Sequence, residues 1–316
     1  MTTILQNALP NSVENSLSPT LGITVIILTF NSDATLRRVV RSCHGLAKRI
    51  LIVDSFSSDL TLEIAKAESC EIIQHAFENY SLQRNWAQEY AQLKPQDWVL
   101  HLDSDEVLTP ELATEIQRVM QDRSSEVSGY LIRRLSFFLG HPIRFGHINP
   151  SWHLRLFRAN SGQCEERLYD QHFISSGSTQ RLRGVIHDLQ LVSIESWTTS
   201  HNRWSTAEAL QISRDFIIKN SKVLESKTLD ARLDGDIRMK KRWMKNNFYY
   251  RCPLFLRSAA FFMYSYFLRL GFLDGRAGLI YHVLQAFWFR FLVDAKIFEM
   301  TVKSARRDHA NPDLRD

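Results

Sequence analysis

Apolar and polar positions alternate in blocks along the first hundred residues. Ile23 to Thr29 is a continuous β-branched run, the pattern of a strand buried on both faces. After the turn at Phe30-Asn31-Ser32-Asp33, helical spacing through Leu36, Val39 and Val40 predicts a helix over 34–43. A second strand over 50–53 ends at Asp54. Ser57-Ser58-Asp59 then caps a helix over 60–68. The pattern continues with a strand over 71–74, a helix over 81–92 that carries Arg84, Asn85 and Trp86, and a strand over 98–102. This β-α-β-α-β-α-β order predicts a parallel sheet with helices on both faces and a ligand site at the carboxyl ends of the strands.

Polar clusters fall at three of those ends: Thr29 to Asp33, Asp54-Ser55, and Asp103 to Glu106. In the last, Asp103, Asp105 and Glu106 are three carboxylates within four residues. Were the strand to continue, Asp103 and Asp105 would share one side. Hard cations such as Mg²⁺ take oxygen ligands, often one or two carboxylates plus substrate phosphates. The competing reading is a solvated turn and helix start, because Thr109-Pro110-Glu111 follows. A Gly-x-Gly-x-x-Gly dinucleotide loop is excluded, since the residues after the first strand contain no glycine, and there is no Walker loop.

Further along, 129–134 and 151–157 read as strands. A Gly-, His- and aromatic-rich loop separates them, and Glu165 to His172 forms a polar segment beyond. A helix is predicted over 202–219 and a polar stretch over 224–235. From Arg238 the chain turns basic and aromatic. The apolar stretches 254–273 and 278–298 are interrupted by Arg257, Arg269 and Arg290, so neither is read as a membrane span. Basic residues beside aromatic bulk suit helices lying in an anionic membrane interface; packing on the catalytic domain is the alternative.

The 316 residues are 44% hydrophobic and 23% charged, with a net charge of +5, as expected of a globular chain with anionic partners. Nucleic-acid binding is not expected, because the basic residues cluster with aromatic bulk. Cys43, Cys70, Cys164 and Cys252 are widely spaced, which predicts neither a disulfide framework nor a zinc site and suits a reducing compartment. The first twenty residues lack a basic-then-apolar leader pattern and read as a flexible tail. The expected division is a tail over 1–21, a catalytic domain over 22–200, a helical region over 201–303 and a tail over 304–316.

Several stretches together resemble family 2 glycosyltransferases of the GT-A fold, and more narrowly bacterial transferases that build lipopolysaccharide core or capsule precursors. They are Ile-Ile-Leu-Thr-Phe-Asn at 26–31, Ile-Val-Asp-Ser-Phe-Ser-Ser-Asp at 52–59, Gln-Arg-Asn-Trp-Ala at 83–87 and Leu-Asp-Ser-Asp-Glu at 102–106. Arg-Leu-Phe-Arg at 155–158, Asn-Arg-Trp-Ser at 202–205 and Phe-Leu-Arg-Leu-Gly-Phe-Leu-Asp-Gly-Arg at 267–276 complete the set. The resemblance implies an α/β, GT-A type sheet with a C-terminal helical, membrane-associating extension. It implies an inverting hexosyltransferase that uses a nucleotide sugar, UDP-linked, with Mg²⁺ or Mn²⁺. The acceptor would be a lipid-linked or oligosaccharide precursor at the inner face of the cytoplasmic membrane. Thr29, Asn31 and Asp54 would line the nucleotide pocket, Arg84 would face the nucleotide or its diphosphate, and Asp103 would contact the ribose side. Asp105 would hold the metal, with His187 near the metal or the diphosphate. The acceptor base is expected from the 165–172 segment. Relatives often read Val-His-Glu where this chain has Tyr169-Asp170-Gln171, which makes Asp170 the candidate base, with Glu166 or Glu165 as alternatives. A nucleotidyltransferase and a non-catalytic carbohydrate-binding or membrane scaffold are the rival functions. The first is expected to carry a basic glycine-rich loop after the first strand, and none is present.

Overall fold

The computed structural model describes residues 22–122, 126–221 and 228–310. The N-terminal half runs β1 (Ile23–Thr29), α1 (Leu36–Ser42), β2 (Arg49–Asp54), α2 (Thr61–Ala67), β3 (Glu71–Gln74), α3 (Tyr80–Tyr90), β4 (Trp98–Asp103), β5 (Glu106–Leu108) and α4 (Pro110–Gln121). It continues through β6 (Gly129–Phe138), β7 (His141–Pro142), β8 (Ser151–Arg158), β9 (Gly162–Cys164), β10 (Phe173–Ser175) and β11 (Thr179–Gln190). The helical part comprises α5 (Ile194–Ser221), α6 (Ile237–Asn247), α7 (Leu256–Met263), α8 (Gly275–His282) and α9 (Phe289–Ala310). Single π-turn segments at Tyr264–Leu268 and Val283–Trp288 follow α7 and α8.

The main sheet has the order β3-β2-β1-β4-β8-β6-β11-β5, with β7 on the edge of β6. Its first four strands are parallel, as the alternating pattern predicts. Beyond β4 the sheet is mixed, because β8 runs antiparallel to both β4 and β6. Register sets the site. Thr29 lies opposite Asp54, and Leu28 opposite Asp103, so all three polar clusters finish at one edge.

Both faces of the sheet are covered. Ile23, Val25 and Ile27 pack with Leu36, Val39 and Val40 of α1 and with Leu112 and Ile116 of α4. Ile26, Val53 and Val99 face the other way, against Ala87 of α3 and Ala91 just past its end. Two-sided burial explains why these strands read as continuous apolar runs. Helix starts follow local chemistry. Asn79 accepts a hydrogen bond from the Leu82 amide, and Thr109 from the Leu112 amide with Pro110 at the first helical position. Ala209 of α5 packs against Phe289 and Val293 of α9, which fastens the helical part together.

Two expectations change. β4 stops at Asp103, and Ser104-Asp105 is a turn into β5, so Asp103 and Asp105 are not neighbours on one strand face. The predicted helix over 202–219 begins earlier, at Ile194. The expected tail over 1–21 lies outside the described residues, as does part of the polar stretch over 224–235. Of the expected tail over 304–316, α9 takes in the residues up to Ala310.

Candidate active site

The first wall is built from short polar side chains that tie loops together. Asp54 is fully buried at the end of β2. Its carboxylate accepts from Thr29 Oγ1 at 2.9 Å, from Ser57 Oγ at 2.5 Å, from the Ser57 amide at 2.9 Å and from Gln74 Nε2 at 3.3 Å. Asn31, at φ 49°, donates its amide to Ser57 Oγ at 2.8 Å and accepts from the Ser58 amide at 2.9 Å through Oδ1. Asparagine tolerates this left-handed conformation better than most residues. Ser32 and Thr35 donate to Ser104 Oγ and to the Ser104 carbonyl, at 2.9 and 2.7 Å. The loops after β1, β2 and β4 are therefore one unit.

The second wall is a row of alternating charges. Arg84 of α3 pairs with Asp103 at 2.7 Å; Arg155 of β8 bridges Asp103 and Glu106, each at 2.6 Å. Arg134 of β6 lies 3.4 Å from Glu106 and 3.6 Å from Asp188 of β11. Asp188 also accepts from Ser136 Oγ at 2.8 Å. Arg155 reaches this position because the β6–β8 register skips it: Tyr130 faces Leu156, and Leu131 faces Leu154. A bulge re-aims the side chain of its extra residue. Burial alone would raise the Asp103 carboxyl, but Arg155 and Arg84 hold it well below the usual carboxylate range.

Asp105 stands apart. Among the described residues its carboxylate has no hydrogen-bond or ion-pair partner, and its backbone carbonyl merely accepts the Leu189 amide at 2.8 Å. Burial, then Asp188, Asp103 and Glu106, push its carboxyl well above the usual range; Arg134 only partly offsets this. A half-buried carboxylate facing three others through low-dielectric surroundings is a receptor for positive charge. Among the described residues no three His, Cys, Asp or Glu side chains form a closed metal cage. One carboxylate with substrate phosphate oxygens is nonetheless a donor set that suits Mg²⁺ or Mn²⁺, so the residues present fit a cation.

The third wall is the 165–172 segment, held by the helical part. Glu165 is fully buried. It takes Arg242 of α6 at 2.7 Å, the Leu229 amide at 2.8 Å and the His172 amide at 2.7 Å. Asp170, at φ 59°, keeps an exposed carboxylate 3.1 Å from Lys245 and 3.8 Å from His172. Burial would raise its carboxyl, but Lys245, His172 and Arg242 take it well below the usual range. Lys245 also pairs with Glu208 of α5 at 2.9 Å, and Arg290 of α9 pairs with Glu208 at 2.7 Å. This wall meets the second through His153, whose ring lies 6.3 Å from that of His172 and feels Arg134, Arg155 and Asp103.

The structure thus brings Thr29, Asn31 and Asp54 together, and joins Arg84, Asp103 and Asp105 beside them. Asp170 lies on the adjoining wall. Glu166 is an exposed residue of the same segment, whereas Glu165, the further alternative, is closed off by its donors. His187 is not brought to Asp105. It and Asp188 point to opposite sides of β11, and the His187 ring packs on Phe137 at 4.9 Å with Glu111 as its charged neighbour. Asp188 is the residue that faces the acids. Sequence reading missed Arg134, Asp188, Lys245 and Glu208 as parts of the site. A signal existed for two of them: Arg134 and Asp188 each stand beside apolar residues of a strand, and a charged residue there is costly to bury unless paired.

The family profile described as Glycosyl transferase family 2 matches residues 24–190, more than half of the chain. The chain belongs to glycosyltransferase family 2. An uncharacterized glycosyltransferase of Rickettsia prowazekii is 24% identical over 292 residues, covering 89% of this chain and 88% of the relative. Another, from Rickettsia bellii, is 28% identical over 169 residues, 54% of this chain and 52% of the relative. Among solved structures, S. aureus TarS 1–349 is similar over 90% of this chain and 91% of its own, at 14% identity and a TM-score of 0.39. The α/β sheet domain within residues 24–190 is that of a family 2 transferase, a helical region follows it, and the chain is a glycosyltransferase.

Proposed function

We propose that this family 2 glycosyltransferase moves a hexose from a UDP-linked sugar, with inversion, to a lipid-linked or oligosaccharide precursor of the cell envelope at the cytoplasmic face of the membrane. The observation that carries the donor half is Asp105, a carboxylate with no cationic partner among the described residues, beside three others that have one. Asp105 would hold Mg²⁺ or Mn²⁺, which when bound supplies Lewis-acid neutralisation of the departing diphosphate. Thr29, Asn31 and Asp54 shape the nucleoside side. Asp54 does so mostly by fixing the loops, since Thr29, Ser57 and Gln74 already occupy its oxygens. Arg84 and Arg155 keep Asp103 ionised and in place.

Asp170 is assigned as the base that takes the acceptor hydroxyl proton. Its exposed carboxylate supports this over Glu165, whose lone pairs are consumed. Glu166 is the second choice. The acceptor class and the membrane face rest on the resemblance and on the basic, aromatic C-terminal helices.

Calorimetric titration with UDP, with and without Mn²⁺, tests the donor half. Wild type is expected to bind UDP more tightly with Mn²⁺, and Asp105→Asn to lose that gain. Equal UDP affinity for wild type under both conditions would sink the metal assignment.

A further inference from the structure

We infer that the surface formed by α7, α8, the π-turn segments after each and the first turns of α9 docks on an anionic lipid bilayer. The aromatic rings there form one continuous run. Phe298 contacts Phe255, which contacts Phe291; Phe287 joins Phe291 to Phe262, and Phe262 meets Phe267, with centroids 5.1–6.4 Å apart. These rings are not a core. Phe298 is 54% exposed, Phe267 48% and neighbouring Leu268 76%. Scattered exposed apolar residues are ordinary, but a contiguous aromatic patch marks an interaction site.

Charge selects the occupant. Arg269 and Arg276 are exposed at the patch. Two acids of the same stretch are engaged inward: Asp294 is fully buried against Arg257, and Asp274 accepts the amides of Arg144 and Phe145. The exposed Glu299 beside Phe298 is paired with Lys303 at 2.6 Å. The patch therefore offers aromatic bulk with two exposed arginines and an exposed acid already neutralised by Lys303, a net cationic rim that suits acyl chains below and lipid phosphates at the edge. A two-fold contact with a second copy would set the same patch, with its uncompensated arginines, against itself. Among the described residues no helix is long and apolar enough to cross a membrane, so the geometry points to docking on the surface. The inference shares only the membrane location with the proposed function, and its test involves no sugar transfer.

The test is flotation of the full chain with vesicles of phosphatidylcholine alone or mixed with phosphatidylglycerol, alongside light scattering without lipid. Wild type is expected to float with the anionic vesicles and to stay monomeric without them. Leu268→Glu, at an exposed position where folding is spared, should weaken partitioning by roughly tenfold or more. The double variant Arg269→Gln and Arg276→Gln should erase the preference for anionic over neutral vesicles. Wild type that remains at the bottom of the gradient overturns the inference. So does flotation unchanged by Leu268→Glu, or a lipid-free dimer that this substitution dissociates.

Discussion

Two buried charge clusters lie on either side of the site, and they are balanced differently. At the sheet edge, Asp103, Glu106 and Asp188 are matched by Arg84, Arg155 and Arg134, and Asp105 is left over. Around the 165–172 segment, Glu165 is matched by Arg242, and Asp170 and Glu208 by Lys245 and Arg290. Among the described residues, none of these three acids is left over there. Desolvating an unmatched charge is costly, so an excess persists where function needs it. A matched set acts as a strut. The first cluster is thus built to receive a cation, and the second to hold the 165–172 loop in place, and with it the Asp170 carboxylate proposed as base.

The largest effect should come from the unmatched carboxylate. Asp105→Ala is expected to reduce sugar transfer by roughly 10³-fold, about 4 kcal/mol of transition-state stabilisation. Without metal, the same variant should be more stable than wild type, because burial and three neighbouring acids disfavour the ionised form. Activity assays and urea denaturation with chelator present check the two halves. A variant that is both active and destabilised would show Asp105 to be one more strut.

The matched cluster should behave in the opposite way. Arg242→Met leaves Glu165 buried with only amide donors, and unfolding should become easier by at least about 3 kcal/mol. The loss is expected in the denaturation midpoint, with any loss of activity following from it.

A smaller effect comes from pH. Burial, more than the opposing pull of Asp170, lowers the His172 imidazole from 6.5 to about 4. Between those values the unfolded chain binds more protons than the folded one. The stability held above pH 6.5 is therefore lost as pH falls through that window, by at most about 3 kcal/mol. His172→Gln should flatten part of this slope in thermal melts across the window. His201, lowered by burial to about 4 as well, keeps its own share. An unchanged slope in the variant would mean that His172 is not buried as a neutral ring.

The two clusters also differ in how far the sequence discloses them. The first four strands, their helices and the polar ends at Thr29, Asp54 and Asp103 follow from period and from capping chemistry, which are local. Asp105 was found for a reason that did not survive: the strand ends before it, and its isolation comes from where the arginines go. The partners of Asp103 are on α3 and β8, and Arg155 arrives through a bulge that no local pattern announces. His187 was misjudged because strand alternation fixes sides only once the register is known. The second cluster is built almost wholly from distant pairs such as Glu165 with Arg242 and Glu208 with Arg290. A basic residue in a helix, whether one of several as Arg242 is in α6 or set among aromatics as Arg290 is, carries no mark of the acid it will meet. Family resemblance could point to the 165–172 segment, but not to the helices that hold it.

The smallest predicted effect separates struts from receptors most cleanly. Arg167 pairs with Asp215 of α5 at 2.7 Å, and Gln211 also donates to Asp215. Among the described residues the Arg167 Nε is buried without a hydrogen-bond partner, so the pair carries an unrelieved desolvation cost in addition to its attraction. Replacing both members together, Arg167→Met with Asp215→Leu, should change unfolding stability by no more than about 1 kcal/mol. Each single substitution should cost more, because it strands a partly buried charge. A urea-denaturation cycle of the four proteins measures this directly. If the double variant is as impaired as the worse single one, matched charge does not explain the helical wall, and a specific need for ionic groups must be sought there as well.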